Sequence, residues 1–368
     1  MSKADRIYPH IHKGRFYNHA GEKRDSVFLR SCAMYMAGLP FRSQGVHDLE
    51  KWHQQLLEQP RLEQQGLEQR ELEAASFHNV LVVPPLSDED SFKITWIGHA
   101  TFLIQWAGYT ILTDPLFGDL TFLFQRLRKP GIALDSLPVI DAVIISHNHW
   151  DHMDKLALQA IARQSPHCTF FVPQGDRHWL QAWGIDRVVE SLWWDAHILN
   201  QNNVALRAIF LPANHWSQRS LFDFNRSLWG SWMIEIAGRK LYFAGDTAAG
   251  KHFEQIAQEH GPIEYALMPI GPCEPKSWMK KSHLNVEDSV EAFSILGAQH
   301  FFPMHWGTFH FGTDAPLLPI ERIQTFWPAA GSVTCGKELH VLRIGQTKVL
   351  PIEAPLVLQK SILNIVEL

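Results

Sequence analysis

Cysteine is scarce in this 368-residue chain, and the four that occur, Cys32, Cys168, Cys273 and Cys335, are scattered without paired spacing. This excludes a disulfide framework and a cysteine-built zinc site, and leaves reduced thiols. Long apolar runs are also missing. None approaches the roughly 18 residues that cross a bilayer, and the first ten residues lack the charged-then-apolar pattern of a secretory leader, so the expected location is cytoplasmic. No block of one charge occurs either: 33 Lys and Arg face 38 Asp and Glu, for a net charge of −5. Without a basic stretch, nucleic acid is not an expected partner. Repeats and low-complexity tracts are absent. What the chain has in quantity is histidine, 21 residues, and tryptophan, 14, in a sequence that is 46% hydrophobic and long enough to bury a large core.

The densest chemistry lies in His147-Asn148-His149-Trp150-Asp151-His152, an H-x-H-x-D-H pattern directly after the apolar run 142–146. His147 and His149 are two apart on a chain leaving a strand, so both imidazoles can face one metal. Asp151 and His152 open an amphipathic stretch reaching Ile161, which predicts a helix whose first turn aims at the same point. Three further strand-like runs, 205–214, 240–245 and 300–304, end at His215, Asp246 and His305. Singly, each has an ordinary alternative: a hydrogen-bonded histidine at a buried strand end, or a plain Gly-Asp-Thr turn. Jointly they follow the usual way an α/β layered protein builds a site, with ligands arriving at the ends of separate strands.

The order H-x-H-x-D-H, then His, Asp and His, resembles the metallo-β-lactamase superfamily. The segments 96–102 (WIGHATF), 112–117 (LTDPLF), 215–219 (HWSQR), 228–232 (LWGSW), 243–247 (FAGDT) and 304–308 (MHWGT) are similar to its branch of zinc phospholipases D that hydrolyse N-acylphosphatidylethanolamine. The resemblance implies a four-layer αββα sandwich and two zinc ions. His147, His149 and His215 would hold one, Asp151, His152 and His305 the other, and Asp246 would bridge. It also implies a zinc-bridging hydroxide, oriented by Asp151, that attacks phosphorus and yields phosphatidic acid and an N-acylethanolamine. His283, in 283–287 (HLNVE), matches a position near the metals and is a candidate to assist the leaving group, or a helix-start histidine facing only solvent or backbone. Ser282 departs from the longer polar side chain expected before it. A homodimer is implied as well. The rival reading on the same metal core is a lactonase-type hydrolase of a soluble phosphorylated metabolite; a non-catalytic metal module is disfavoured by the filled ligand set.

Residues 1–93 read as an N-terminal extension and 94–368 as the catalytic domain. Within the extension Val46, Leu49, Trp52, Leu56 and Leu57 fall at helical spacing, and 80–85 breaks the pattern. From Phe92 the runs 92–97, 101–106 and 109–113 predict a β-meander turning at Ala107-Gly108. A phospholipid substrate requires peripheral contact with a membrane surface. The stretches 27–39 and 116–129, the second beside Arg126, Arg128 and Lys129, have the apolar bulk and cations that suit an interface, or they pack against the domain. Trp150, Trp216, Trp278 and Trp306 either line an apolar channel or fill the core. Lys280 and Lys281 meet lipid phosphate or are simply solvated.

Overall fold

In the computed structural model the described residues are 6–18, 51, 91–122, 124–201 and 203–351; the helical spacing at 46–57, the break at 80–85 and the apolar stretch 27–39 lie outside them. A short hairpin, β1 (His10–His12) and β2 (Arg15–Tyr17), comes first. Its turn uses Lys13 and Gly14, both at positive φ, as a tight two-residue hairpin demands. The segment lies on the body of the protein: Phe16 N–H donates to the Asn225 carbonyl, and Arg6 pairs with Glu259.

The meander expected from Phe92 is present as β3 (Ser91–Gly98), β4 (Thr101–Trp106) and β5 (Tyr109–Thr113), with Ala107 and Gly108 at positive φ in the second turn. The chain continues through β6 (Ala142–Ile144), β7 (Thr169–Pro173) and β8 (Val188–Ser191), and with β16 (Thr347–Pro351) these form one sheet in the order β16-β3-β4-β5-β6-β7-β8. The second sheet takes β9 (Ala196–Gln201), β10 (Val204–Leu211), β11 (Ser231–Ile236), β12 (Arg239–Phe243), β13 (Tyr265–Pro269), β14 (His300–Met304) and β15 (Glu338–Leu339), in the order β15 to β9. Each sheet is antiparallel on one side and parallel on the other, β5 to β8 in the first and β12 to β15 in the second.

Side-chain alternation along the strands shows the layering. Phe92, Ile94 and Trp96 of β3, Phe102 and Ile104 of β4 and Ile111 of β5 join the core shared with the second sheet, while Leu103 and Leu112 point to the opposite face. That opposite face is covered by α1 (Lys155–Gln164) through Ala157, Leu158 and Ile161. The outer face of the second sheet is covered by α3 (His252–His260), α5 (Val286–Ile295) and α6 (Leu318–Ala329), with α2 (Arg177–Ala182) and α4 (Lys276–Met279) as short connectors. A strand buried on both faces needs apolar residues at both parities, which these strands have. The result is the expected αββα sandwich.

The helix predicted from Asp151 begins four residues later. Asp154 is the residue that caps it, accepting from Leu156 and Ala157 N–H, while Asp151 and His152 sit in a turn before it. Asp151 cannot cap, because its carboxylate is drawn to His99 and His152.

Candidate metal centre

Strands running in one direction in each sheet deliver their following loops to one end of the sandwich. Asp114 follows β5, the segment 147–152 follows β6, His215 follows β10, Asp246 follows β12 and His305 follows β14. All eight side chains singled out in the sequence, His283 included, meet there and are buried.

His147, His149 and His215 form one group: His147 Nε2 is 2.8 Å from His149 Nδ1, which is 3.3 Å from His215 Nε2. Asp151, His152 and His305 form another, joined by His99. Asp151 Oδ2 lies 3.5 Å from His152 Nε2, 3.8 Å from His305 Nε2 and 3.1 Å from His99 Nε2. Asp246 stands between the groups, its Oδ2 3.8 Å from His215 Nε2 and 3.4 Å from His152 Nε2, its Oδ1 3.1 Å from His305 Nε2. His283 Nδ1 is 3.6 Å from the same carboxylate, so this histidine faces the cluster and not solvent.

The surroundings fix which nitrogen of each ring is free. Ser146 spends its one hydroxyl proton on Asp114 Oδ2 at 2.5 Å, so it accepts from His147 Nδ1–H at 2.9 Å and leaves the His147 Nε2 lone pair facing inward. His152 Nδ1–H donates to Asp114 at 2.6 Å, and His215 Nδ1–H donates to the Ser282 carbonyl at 2.9 Å. Outer partners of this kind orient histidine for a metal. Inside, His152 Nε2, Asp151 Oδ1, Asp246 Oδ1, His283 Nδ1 and His305 Nε2 are buried without a hydrogen-bond partner. Unpartnered buried groups of this sort are costly, and a divalent cation satisfies them; imidazole and carboxylate are the donor types zinc takes. The residues present therefore fit the metals.

Electrostatics agree. Burial holds His147 and His215 well below the usual histidine range and His149 at about 3, which keeps their lone pairs available. Burial also lowers His99 to about 3 and His283 to about 4. His152 goes the other way: burial opposes its charging, but Asp246, Asp151 and Asp114 outweigh it and raise it well above the usual value. Three carboxylates thus call for positive charge at that point.

Five groups escaped the sequence reading. His99 and Asp114 lie inside the quoted segments 96–102 and 112–117, yet no role was drawn for them. Ser146, the Ser282 carbonyl and Asn18 act on ring or backbone atoms of the cluster. Asn18 comes from the N-terminal segment and bonds the His215 backbone, with a further bond from Trp229 Nε1 at 3.1 Å.

Beside the cluster opens a small cleft walled by His99, His305, Phe309, Phe311, Pro272 and Pro319. Phe309 and Phe311 stack on each other and set their rings against His99 at 5.5 Å and 5.8 Å. Of the four tryptophans, Trp306 stacks on Trp96 and also lines this cleft, Trp216 packs on His149 at 4.1 Å, and Trp150 and Trp278 are exposed. Of the two readings open for Arg126, packing within the domain is the one found. The residue is buried, donating to the carbonyls of Leu116 and Arg128.

Residues 109–306 match the family described as the β-lactamase superfamily domain. An N-acyl-phosphatidylethanolamine-hydrolyzing phospholipase D of Caenorhabditis elegans is 32% identical over 76% of this chain and 80% of its own length. A mitochondrial protein of Saccharomyces cerevisiae with the same activity in its name is 33% identical over 62% of this chain and 50% of its own length. Among solved structures, a metallo hydrolase of the archaeon Ignicoccus hospitalis shares the fold with a TM-score of 0.55 at 22% identity, over 72% of this chain and all of that one.

Proposed function

This chain belongs to the β-lactamase superfamily and is a metal-dependent hydrolase, and from that premise we propose that it is a zinc phosphodiesterase of phospholipase D type acting on N-acylphosphatidylethanolamine. The observation that carries the two-metal reading is Asp246, whose carboxylate oxygens reach both histidine groups at once. In this reading His147, His149 and His215 would hold one zinc, Asp151, His152 and His305 the other, and Asp246 would serve both. Zinc bound there would supply a water of pKa about 7 and polarise the phosphoryl oxygen.

The chain's own residues do the rest. Asp151 is kept ionised by His152 and His99, against its burial, and accepts the proton or hydrogen bond of the attacking water. His283, held neutral by burial, offers an N–H hydrogen bond at the ethanolamine oxygen, and the proton taken from the water by Asp151 passes to that oxygen as it leaves. The product pair is phosphatidic acid and an N-acylethanolamine.

Two features support a lipid. The Phe309–Phe311 wall borders the cluster, and Leu120 packs on it from the loop that carries Phe122, 82% exposed. On the other flank, Leu221 and Phe222 are 67% and 81% exposed on the loop leading from His215. That loop is tied to the ligand segment, since Trp150 Nε1 donates to the Arg219 carbonyl. Apolar tips beside the cluster suit peripheral seating on a membrane; no helix among the described residues is long and apolar enough to cross one. The test is a panel of N-acylated and plain phospholipids plus a phosphorylated lactone, with products identified by mass. Release of N-acylethanolamine supports the reading. Turnover of the lactone alone replaces it with the soluble-substrate hydrolase.

A further inference from the structure

A second group of metal-binding side chains lies at the opposite end of β14, about 16 Å along the strand from His305. Parallel pairing of β14 with β15 sets His300 beside Glu338. His340, two residues beyond Glu338, falls on the same face. The three converge: His300 Nδ1 is 3.0 Å from His340 Nε2, and Glu338 Oε2 is 3.7 Å and 3.4 Å from those two atoms. Donor atoms around one zinc ion stand about 3.0–3.4 Å apart, given bonds of about 2.0–2.1 Å to nitrogen. Only Glu338 has to close in, and with its side chain 59% exposed it is free to do so.

The two rings are already held. His300 stacks on Tyr265 at 5.3 Å and His340 on Phe302 at 4.6 Å. Burial keeps both below the usual histidine range, His340 at about 3, so neither needs to lose a charge before binding. As the rings stand, one imidazole donates to the other; a tautomer shift moving the His300 proton to Nε2 frees both lone pairs without changing net charge. Among nearby charges Glu264 is paired with Arg239 at 2.9 Å, and Lys348 opposes Glu338. With the charges close to balanced, attraction has to come from imidazole coordination, which selects transition metals over magnesium or calcium.

We propose that His300, Glu338 and His340 form a separate site for one divalent transition cation of the zinc type, completed by water, which fastens the edge strand β15 to β14. β15 pairs with β14 at only two positions, so a bridging ion there adds a constraint that backbone pairing supplies weakly. The test is calorimetric titration of zinc, with magnesium as control, into full-length protein whose catalytic metals are already loaded, alongside Glu338→Gln and His300→Gln. The expected result is one further zinc equivalent and a raised melting temperature in the parent, no response to magnesium, and loss of both zinc effects in each variant while lipid turnover is unchanged. Glu338 is an exposed position where the amide is tolerated, so misfolding does not obscure the outcome. No further equivalent in the parent, or an undiminished one in both variants, overturns the site.

Discussion

Asn18 holds the peptide of His215 from both sides: its side-chain N–H donates to the His215 carbonyl at 2.9 Å, and its Oδ1 accepts from the His215 N–H at 3.2 Å. A residue from the N-terminal segment thus sets the backbone of a proposed zinc ligand. Asn18→Ala removes both bonds, and the expected outcome is a 10–100-fold, order-of-magnitude loss in affinity for the zinc held by His147, His149 and His215, with the global fold kept. Metal titration with a competing chelator and circular dichroism check it. Unchanged affinity means the segment is ornamental.

Asp114 receives the His152 Nδ1–H, the Ser146 hydroxyl and the Ser146 N–H. Asp114→Asn replaces one acceptor oxygen by a donor, so the His152 tautomer is no longer enforced. Turnover is expected to fall about 10–100-fold, with zinc content reduced at high chelator but secondary structure retained. Full activity in this variant would falsify the orienting role.

Metal loading should displace a proton from His152. His152 has a raised pKa, so it carries a proton in metal-free protein at pH 7, and a cation has to displace it. His147, His149 and His215 are neutral there and release none. Zinc affinity should therefore rise with pH around neutrality. Titration calorimetry in two buffers of different ionisation enthalpy should show net proton release on zinc binding; a value near zero contradicts the assignment.

The metal-free fold should be acid-sensitive. His99 and His149 titrate at about 3 and His283 at about 4 in the folded chain, against about 6.5 when unfolded. Between those limits the unfolded state binds more protons, so stability is present above about 6.5 and declines as pH falls toward 4. His152 opposes this trend, as do Asp176 and Asp314, whose carboxyls burial pushes up to about 7 and about 6. Melting temperatures of chelator-treated protein across that window check it, and a flat profile rejects it.

Gly245, next to Asp246, has φ +57°, and a Cβ there would come within 2.4 Å of the Ser146 Cβ. Gly245→Ala is expected to cost about 1–3 kcal/mol from backbone conformation, with the overlap in addition, and to displace Asp246 from one or both histidine groups. Chemical denaturation and zinc stoichiometry report the two effects separately.

The histidine cluster was legible because closely spaced chelating residues at a strand end have few other uses, and the meander because its turn residues and alternation agree. Asp114 was not: Asp-Pro after a strand reads as an ordinary turn, and its partner Ser146 is 32 positions away. Asn18 lies 197 positions from His215, a distance over which no local pattern speaks. The start of α1 was misplaced because both Asp151 and Asp154 have a capping side chain, and only the folded surroundings decide which is free to cap. Arg126 stays open in the sequence between an interfacial anchor and packing within the domain, since only the fold shows that carbonyl oxygens of its own loop take up its guanidinium.

The strand that completes the first sheet is β16, which pairs with β3 from Thr347↔Thr95 to Pro351↔Ser91, across some 250 residues of intervening chain. During synthesis β3 emerges long before its neighbour, and until then it presents an unsatisfied row of backbone donors and acceptors flanked by Phe92, Ile94 and Trp96. A nascent chain stalled before Thr347 is thus a sticky intermediate, and emergence of β16 from the ribosome becomes the step that covers this edge of β3.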